Sequence, residues 1–390
     1  MNNNEKYFIY LINSFLNKNK SKYDDTASFD EIYRLAKIHN VVGIITNQIL
    51  TFKKNDLEKI NNISFFRQQL GLTLIDFQSK IENIKILRDT FNSCEIPFTF
   101  VKGTRTRELY PTPELRTSSD IDIYYPEKYY NKLDRALKES NFEITSSNEK
   151  LILLKSSNQT IEIHSTDDYD NEYFKDLFSI AIHKTDFEYE LSLEDELLFC
   201  LCHIAKHINS CGAGVRMFMD IDVIIRAISN FNYNSLMIKA KSANIETFAK
   251  YSLTLVKRWF NTPFEYQEDD ISEEILLSLE NSTISGGCFG FEKRGLGDYY
   301  VDKAIKKSGK NSFLSKLKAI IILFFPSPKY LMDSYLYSKK HPILLPVAWL
   351  QRLYLGIFKH SSNSKNTVAG ILKTDNSVEE YRKLKNELEL

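Results

Sequence analysis

Over the first 95 residues apolar positions recur at helical spacing: Tyr7, Tyr10, Leu11 and Phe15, then Ile32, Leu35 and Ala36, then Ile75, Ile81, Ile84 and Leu87. A helical N-terminal region, 1–95, is predicted. From residue 96 the pattern changes to short apolar runs at 98–101, 121–125, 142–145, 151–154 and 160–164. These predict strands, with a helix near 127–139 and a hairpin turn at Ser157-Asn158-Gln159. A small mixed sheet over 96–190 would form the core. From about residue 193 helical spacing returns, and LSLEDELLFCLCHIAKHI puts Leu197, Leu201, Ile204 and Ile208 near one face, with His203 and His207 one turn apart and Lys206 beside them. The segment VRMFMDIDVIIRAI starts another helix, in which Arg216 and Asp220 are an i, i+4 pair. The expected architecture is α+β, with a helical domain over 191–360 and a polar tail over 361–390. Within that tail 361–375 reads as loose and 378–390 as a charged amphipathic helix.

The chain's chemistry centres on the strand at 120. Side chains alternate across a strand, so Asp120 and Asp122 share one face while Ile121 and Ile123 point to a core. At roughly 4 Å and an effective dielectric near 20 the two carboxylates would repel by about 4 kcal/mol, which a divalent cation reverses. Hard oxygen ligands favour Mg²⁺ or Mn²⁺, with substrate phosphates completing the shell. Upstream, the strand PFTFV ends at Lys102-Gly103-Thr104, where a glycine lets the backbone turn sharply and approach a phosphate. Arg105, Arg107 and Arg116 follow and add cationic donors. In the later run Ile161-Glu162-Ile163-His164, both polar side chains emerge on one face.

Lys102-Gly103, Arg116, Asp120-Ile121-Asp122 and Ile161-Glu162-Ile163-His164, in that order, resemble the uncharacterised nucleotidyltransferase family of the polymerase-beta-like superfamily; His203, Lys206, His207 and Asp220 resemble its helical block. The resemblance implies a catalytic and metal-binding triad of Asp120, Asp122 and Glu162. Glu162 would help deprotonate the acceptor. Lys102, Gly103, Thr104, Arg116, His203, Lys206 and His207 would bind the nucleotide, with Arg216 reaching toward the phosphates beside the last three and Asp220 orienting one of these side chains. The implied reaction moves a nucleoside monophosphate from an NTP, such as ATP, to a hydroxyl-bearing small molecule or sugar, with pyrophosphate release. This chain departs from the superfamily by Thr104 where serine is usual, and from its relatives by Glu162 where aspartate is frequent and by Ser165 where an aromatic residue is frequent.

Composition narrows the alternatives. Lys plus Arg equals Asp plus Glu at 51 each, so no global basic field exists to hold nucleic acid. A toxin-like transferase acting on tRNA would need a local groove, for which Arg105, Arg107 and Lys150 are the candidates. A non-catalytic nucleotide-binding module would bind without releasing pyrophosphate. Five scattered cysteines fit a reducing cytoplasm, and the N-terminus lacks a signal-peptide pattern. Apolar runs fall short of a membrane span, although the aromatic, basic block after residue 313 leaves peripheral membrane contact as a reading. The glycine run 286–290 reads as a connector or a substrate loop.

Overall fold

The short apolar runs after residue 96 pair into one seven-stranded mixed sheet: β1 Phe98–Phe100, β2 Asp120–Tyr125, β3 Glu143–Ser147, β4 Leu151–Ser156, β5 Gln159–Ser165, β6 Ile182–Thr185 and β7 Glu188–Glu190, in the order β3-β4-β5-β2-β1-β7-β6. The computed structural model describes residues 1–140, 142–156, 159–166, 171–210, 212–265, 271–288, 290, 296–308, 313–359, 361–373 and 377–390. Residues 157 and 158 of the expected hairpin turn lie outside them; the flanking strands pair at Ser156 and Gln159.

Two strand pairs are parallel, β2 with β5 and β1 with β7, and the remaining neighbours are antiparallel. The β2–β5 register sets Asp122 opposite Glu162 and Tyr124 opposite His164. Because side chains alternate, Ile121, Ile123, Ile161 and Ile163 all face the other way. There they join Ile84, Leu87 and Phe91 of the helix Ile63–Ser93 and Leu133 and Leu137 of the helix Tyr130–Lys138 in one buried cluster. Burying a side chain of this kind contributes roughly 1.5–3 kcal/mol. A one-residue slip of β2 would therefore take its isoleucines out of this cluster and turn its aspartates into it.

The expected N-terminal helices are present as Asn3–Leu16, Phe29–Ile38, Val42–Ile49 and the long Ile63–Ser93. The first starts with a capping box, the Asn2 side chain accepting from Glu5 while Glu5 bonds back to Asn2. The fold is α+β, with helical parts before and after the sheet.

Two compact units make up the chain: one of residues 1–206, 214–284 and 389, the other of 207–213, 285–388 and 390. In the second unit, residues Ser361–Lys373, expected to be loose, form a helix, with Thr367 and Ile371 buried one turn apart. The helix Ser377–Glu387 agrees with the amphipathic pattern, burying Val378, Tyr381 and Leu384. Within the glycine run, Gly290 takes φ +77° and approaches Gly212, where a Cβ would come 2.7 Å from its Cα. Glycine there permits backbone to meet backbone; residues 291–295, which follow, lie outside the described residues.

Candidate active site

The polar face of β2 and β5 is covered by the helix Leu193–Ser210. Its Phe199 meets the Tyr124 ring edge-on, and Tyr124 stacks on His164 with centroids 5.0 Å apart. That stacking fixes the imidazole plane. His164 Nε2 is buried and makes no hydrogen bond, 3.2 Å from Glu162 Oε2 and 3.6 Å from Asp122 Oδ1. Among the described residues, Asp122, Glu162 and His164 form a group whose ligand atoms all lie within 4.8 Å of one another.

Lys102 closes the group, its Nζ 2.6 Å from Asp122 Oδ1. Burial by itself would raise the Asp122 carboxyl, but the Lys102 charge and the proximity of His164 and Lys102 outweigh it and hold the group below the usual carboxylate range. Lys102 is correspondingly held protonated, since Asp122 overrides the effect of burial. For His164 the two carboxylates overcome burial and raise the imidazole. Asp120 is raised, first by burial and then by the charge of Asp122. It lies at the start of β2 and its field reaches this group, to which His164 adds a nitrogen.

The Lys-Gly turn differs from expectation in its mechanics. Lys102, not Gly103, takes the positive φ, at 54° with ψ −136°, a conformation that costs a non-glycine residue roughly 1–3 kcal/mol. Its backbone N–H donates to Glu196 Oε1 at 2.9 Å, and Glu196 is fully buried, with Oε2 making no hydrogen bond. Burial pushes this carboxyl up to about 7. Gly103 is required for a different reason: a Cβ there would lie 2.5 Å from Arg116 Nη1 and 2.8 Å from its Cζ.

Arg116 itself is engaged by a carboxylate. Its Nε donates to Asp220 Oδ1 at 3.0 Å and its Nη2 to Asp220 Oδ2, while the Tyr110 hydroxyl and Thr106 Oγ1 donate to the same Oδ1. Asp220 thus orients Arg116, across 104 residues, as a buried clamp over the turn. Arg216, the expected i, i+4 partner, donates through Nη1 to the Thr117 carbonyl at 2.9 Å. Arg105 pairs with Glu190 at 2.9 Å, and Arg107 donates to Ser118 and lies over the Phe77 ring. Thr104 Oγ1 is buried and makes no hydrogen bond.

On the covering helix, Glu196 reaches the turn. His203 is half-buried seven positions further on, roughly 10 Å along the axis at 1.5 Å per residue and on nearly the same face. Lys206 is exposed and ends the first stretch of the first unit; His207 begins a segment of the second. His164 and Glu196 are the residues whose parts sequence reading missed. The Glu162-x-His164 alternation is a usable signal for the first, whereas Glu196 is one of three first-turn acids, a pattern that complementing the helix dipole already accounts for.

Neither the curated proteins nor the solved structures searched gave a match to this chain. Residues 25–261, more than half of it, match the family model described as uncharacterised nucleotidyltransferase. That stretch includes all seven strands, the Lys-Gly turn, the Asp122 cluster and the Arg116–Asp220 clamp. The chain therefore belongs to this nucleotidyltransferase family and is an enzyme of nucleotidyl transfer.

Proposed function

We propose that the enzyme moves a nucleoside monophosphate from an NTP to a hydroxyl of a small-molecule or sugar acceptor, releasing pyrophosphate, with Mg²⁺ or Mn²⁺ as cofactor. The observation that carries this is the convergence of Asp122, Glu162 and His164 within 4.8 Å beside a turn bearing Lys102 and Thr104. The donor set fits a divalent cation. Asp122 is held ionised, and His164 presents a buried nitrogen that makes no hydrogen bond.

Asp122 and Glu162, with Asp120 and His164 beside them, would hold the cation. When bound, it would offset triphosphate charge and favour the ionised form of the acceptor hydroxyl. The chain's own groups divide the rest. Lys102 is the positive charge facing Asp122, and on nucleotide binding it would turn to the phosphates. The Thr104 hydroxyl would donate to a phosphate oxygen. Glu162, with a side chain 34% exposed, is the carboxylate open to an acceptor and would take its proton. Arg116 acts at one remove, filling the space over Gly103 and setting the turn. His203 and Lys206 would serve the nucleotide from the covering helix.

Pyrophosphate release from each NTP, measured with Mg²⁺ or Mn²⁺ and a pool of hydroxyl acceptors, tests the reading. Release is expected with the wild type and should vanish on chelation and in Asp120→Asn. Release that persists in Asp120→Asn or in excess chelator would refute the assigned roles.

A further inference from the structure

The second unit exposes more aliphatic and aromatic surface than its own core needs. On the helix Phe313–Phe324 Ser315 and Ala319 are buried one turn apart, yet Leu314, Leu317 and Ile321 are exposed at helical spacing, and Phe325 continues their row. The same arrangement recurs around the helix Leu345–Tyr354. Ala348 is buried, while Ile343 (88% exposed), Val347, Leu350 (66%), Tyr354 and Phe358 (70%) form a second row at i, i+4, i+7, i+11 and i+15. The two segments are tied together, Trp349 Nε1 donating to the Pro326 carbonyl at 3.1 Å and Arg352 lying over the Tyr330 ring. These rows are therefore additional to the packed face of each helix, and rows of exposed apolar side chains of this kind mark an interaction site.

The charge of the stretch that carries the rows identifies the partner. Residues 313–373 contain nine Lys or Arg and a single acidic residue, Asp333, although the whole chain has 51 of each sign. The neutral total conceals a basic block. A second copy of the chain meeting this face symmetrically would bring two such blocks together and repel. A nucleic acid would reward the lysines but not the burial of Ile343, Val347 and Leu350. An anionic lipid surface rewards both, taking apolar side chains into the headgroup boundary and attracting the exposed lysines of the same stretch, Lys318, Lys340, Lys365 and Lys373. No helix among the described residues is long and apolar enough to cross a membrane, so the fit is to lying on the bilayer.

We propose that this face of the second unit binds an anionic lipid bilayer. The inference is independent of the transfer reading, because it uses none of the residues assigned to that site.

The test is co-sedimentation of the full chain with vesicles of phosphatidylcholine containing phosphatidylglycerol, against phosphatidylcholine alone, at low and high salt. Binding to the anionic vesicles that weakens with salt is expected. Lys318→Ala and Lys340→Ala, both at exposed positions, should each weaken it roughly fivefold, as expected for one charge near the surface. Leu350→Glu should abolish it while leaving circular dichroism and pyrophosphate release unchanged. Failure of the wild type to bind the anionic vesicles would overturn the proposal, as would equal binding by Leu350→Glu. So would a concentration-dependent dimer, found without vesicles and broken by Leu350→Glu, which would assign the face to a second copy.

Discussion

Replacing Asp220 with Asn tests the buried clamp beneath the site. The two side chains of the pair are 5% and 8% exposed, and Asp220 Oδ1 alone accepts from Arg116 Nε, the Tyr110 hydroxyl and Thr106 Oγ1. Burial opposes the Arg116 charge, and Asp220 is the main group that offsets it. Asn keeps the shape and an accepting oxygen but removes the charge. Leaving a buried guanidinium uncompensated costs about 3–5 kcal/mol, roughly two to four decades in the folding equilibrium. With a urea slope near 3 kcal/mol/M, the midpoint for the first unit should fall by about 1–2 M. The assay is urea unfolding followed by circular dichroism. The double variant Arg116→Met with Asp220→Asn should be more stable than Asp220→Asn alone, since no charge is then left buried. A loss below about 1 kcal/mol, the range of exposed pairs, would refute the clamp. Reduced nucleotide affinity with unchanged stability would return Arg116 to the phosphates.

Glu196 gives a pH signature. Its folded-state carboxyl sits at about 7 against an ordinary 4.5, so the folded protein holds a proton that the unfolded chain has released, and stability falls as pH rises between those values, by on the order of 3 kcal/mol. Urea midpoints of Glu196→Gln should be flatter than wild type from pH 5 to 7; parallel profiles would contradict this. His164→Asn should weaken Mn²⁺ binding, read by paramagnetic titration, by roughly 10- to 100-fold if the imidazole belongs to the metal set. Unchanged Mn²⁺ affinity would remove His164 from it.

Sequence pattern carried the parts of this architecture that depend on local periodicity. The alternation of Asp120, Asp122 and the isoleucines fixed which side chains share a face, and Ile161-Glu162-Ile163-His164 did the same 40 residues later. What it left open was pairing. A parallel register that sets Asp122 opposite Glu162 is decided by a crossover and a shared core, not by either strand. Asp220 was legible as an i, i+4 neighbour of Arg216, but its contact with Arg116 spans 104 residues and has no local signal. In the sequence Gly103 stands out for conformational freedom, whereas in the fold it is constrained by the Arg116 guanidinium packed against it. The helix Ser361–Lys373 was missed because it has few apolar residues, and their burial depends on the surrounding helices.

The most direct test of the central claim uses NTP labelled at either the α or the γ phosphate, incubated with the wild type and with Asp122→Asn in the presence of Mn²⁺ and pooled hydroxyl acceptors. Asp122 is the carboxylate shared by Lys102 and His164, so the account predicts that the α label enters an acceptor, that the γ label leaves in pyrophosphate, and that both events stop in the variant. A γ label transferred to the acceptor, or α transfer surviving Asp122→Asn, would contradict it.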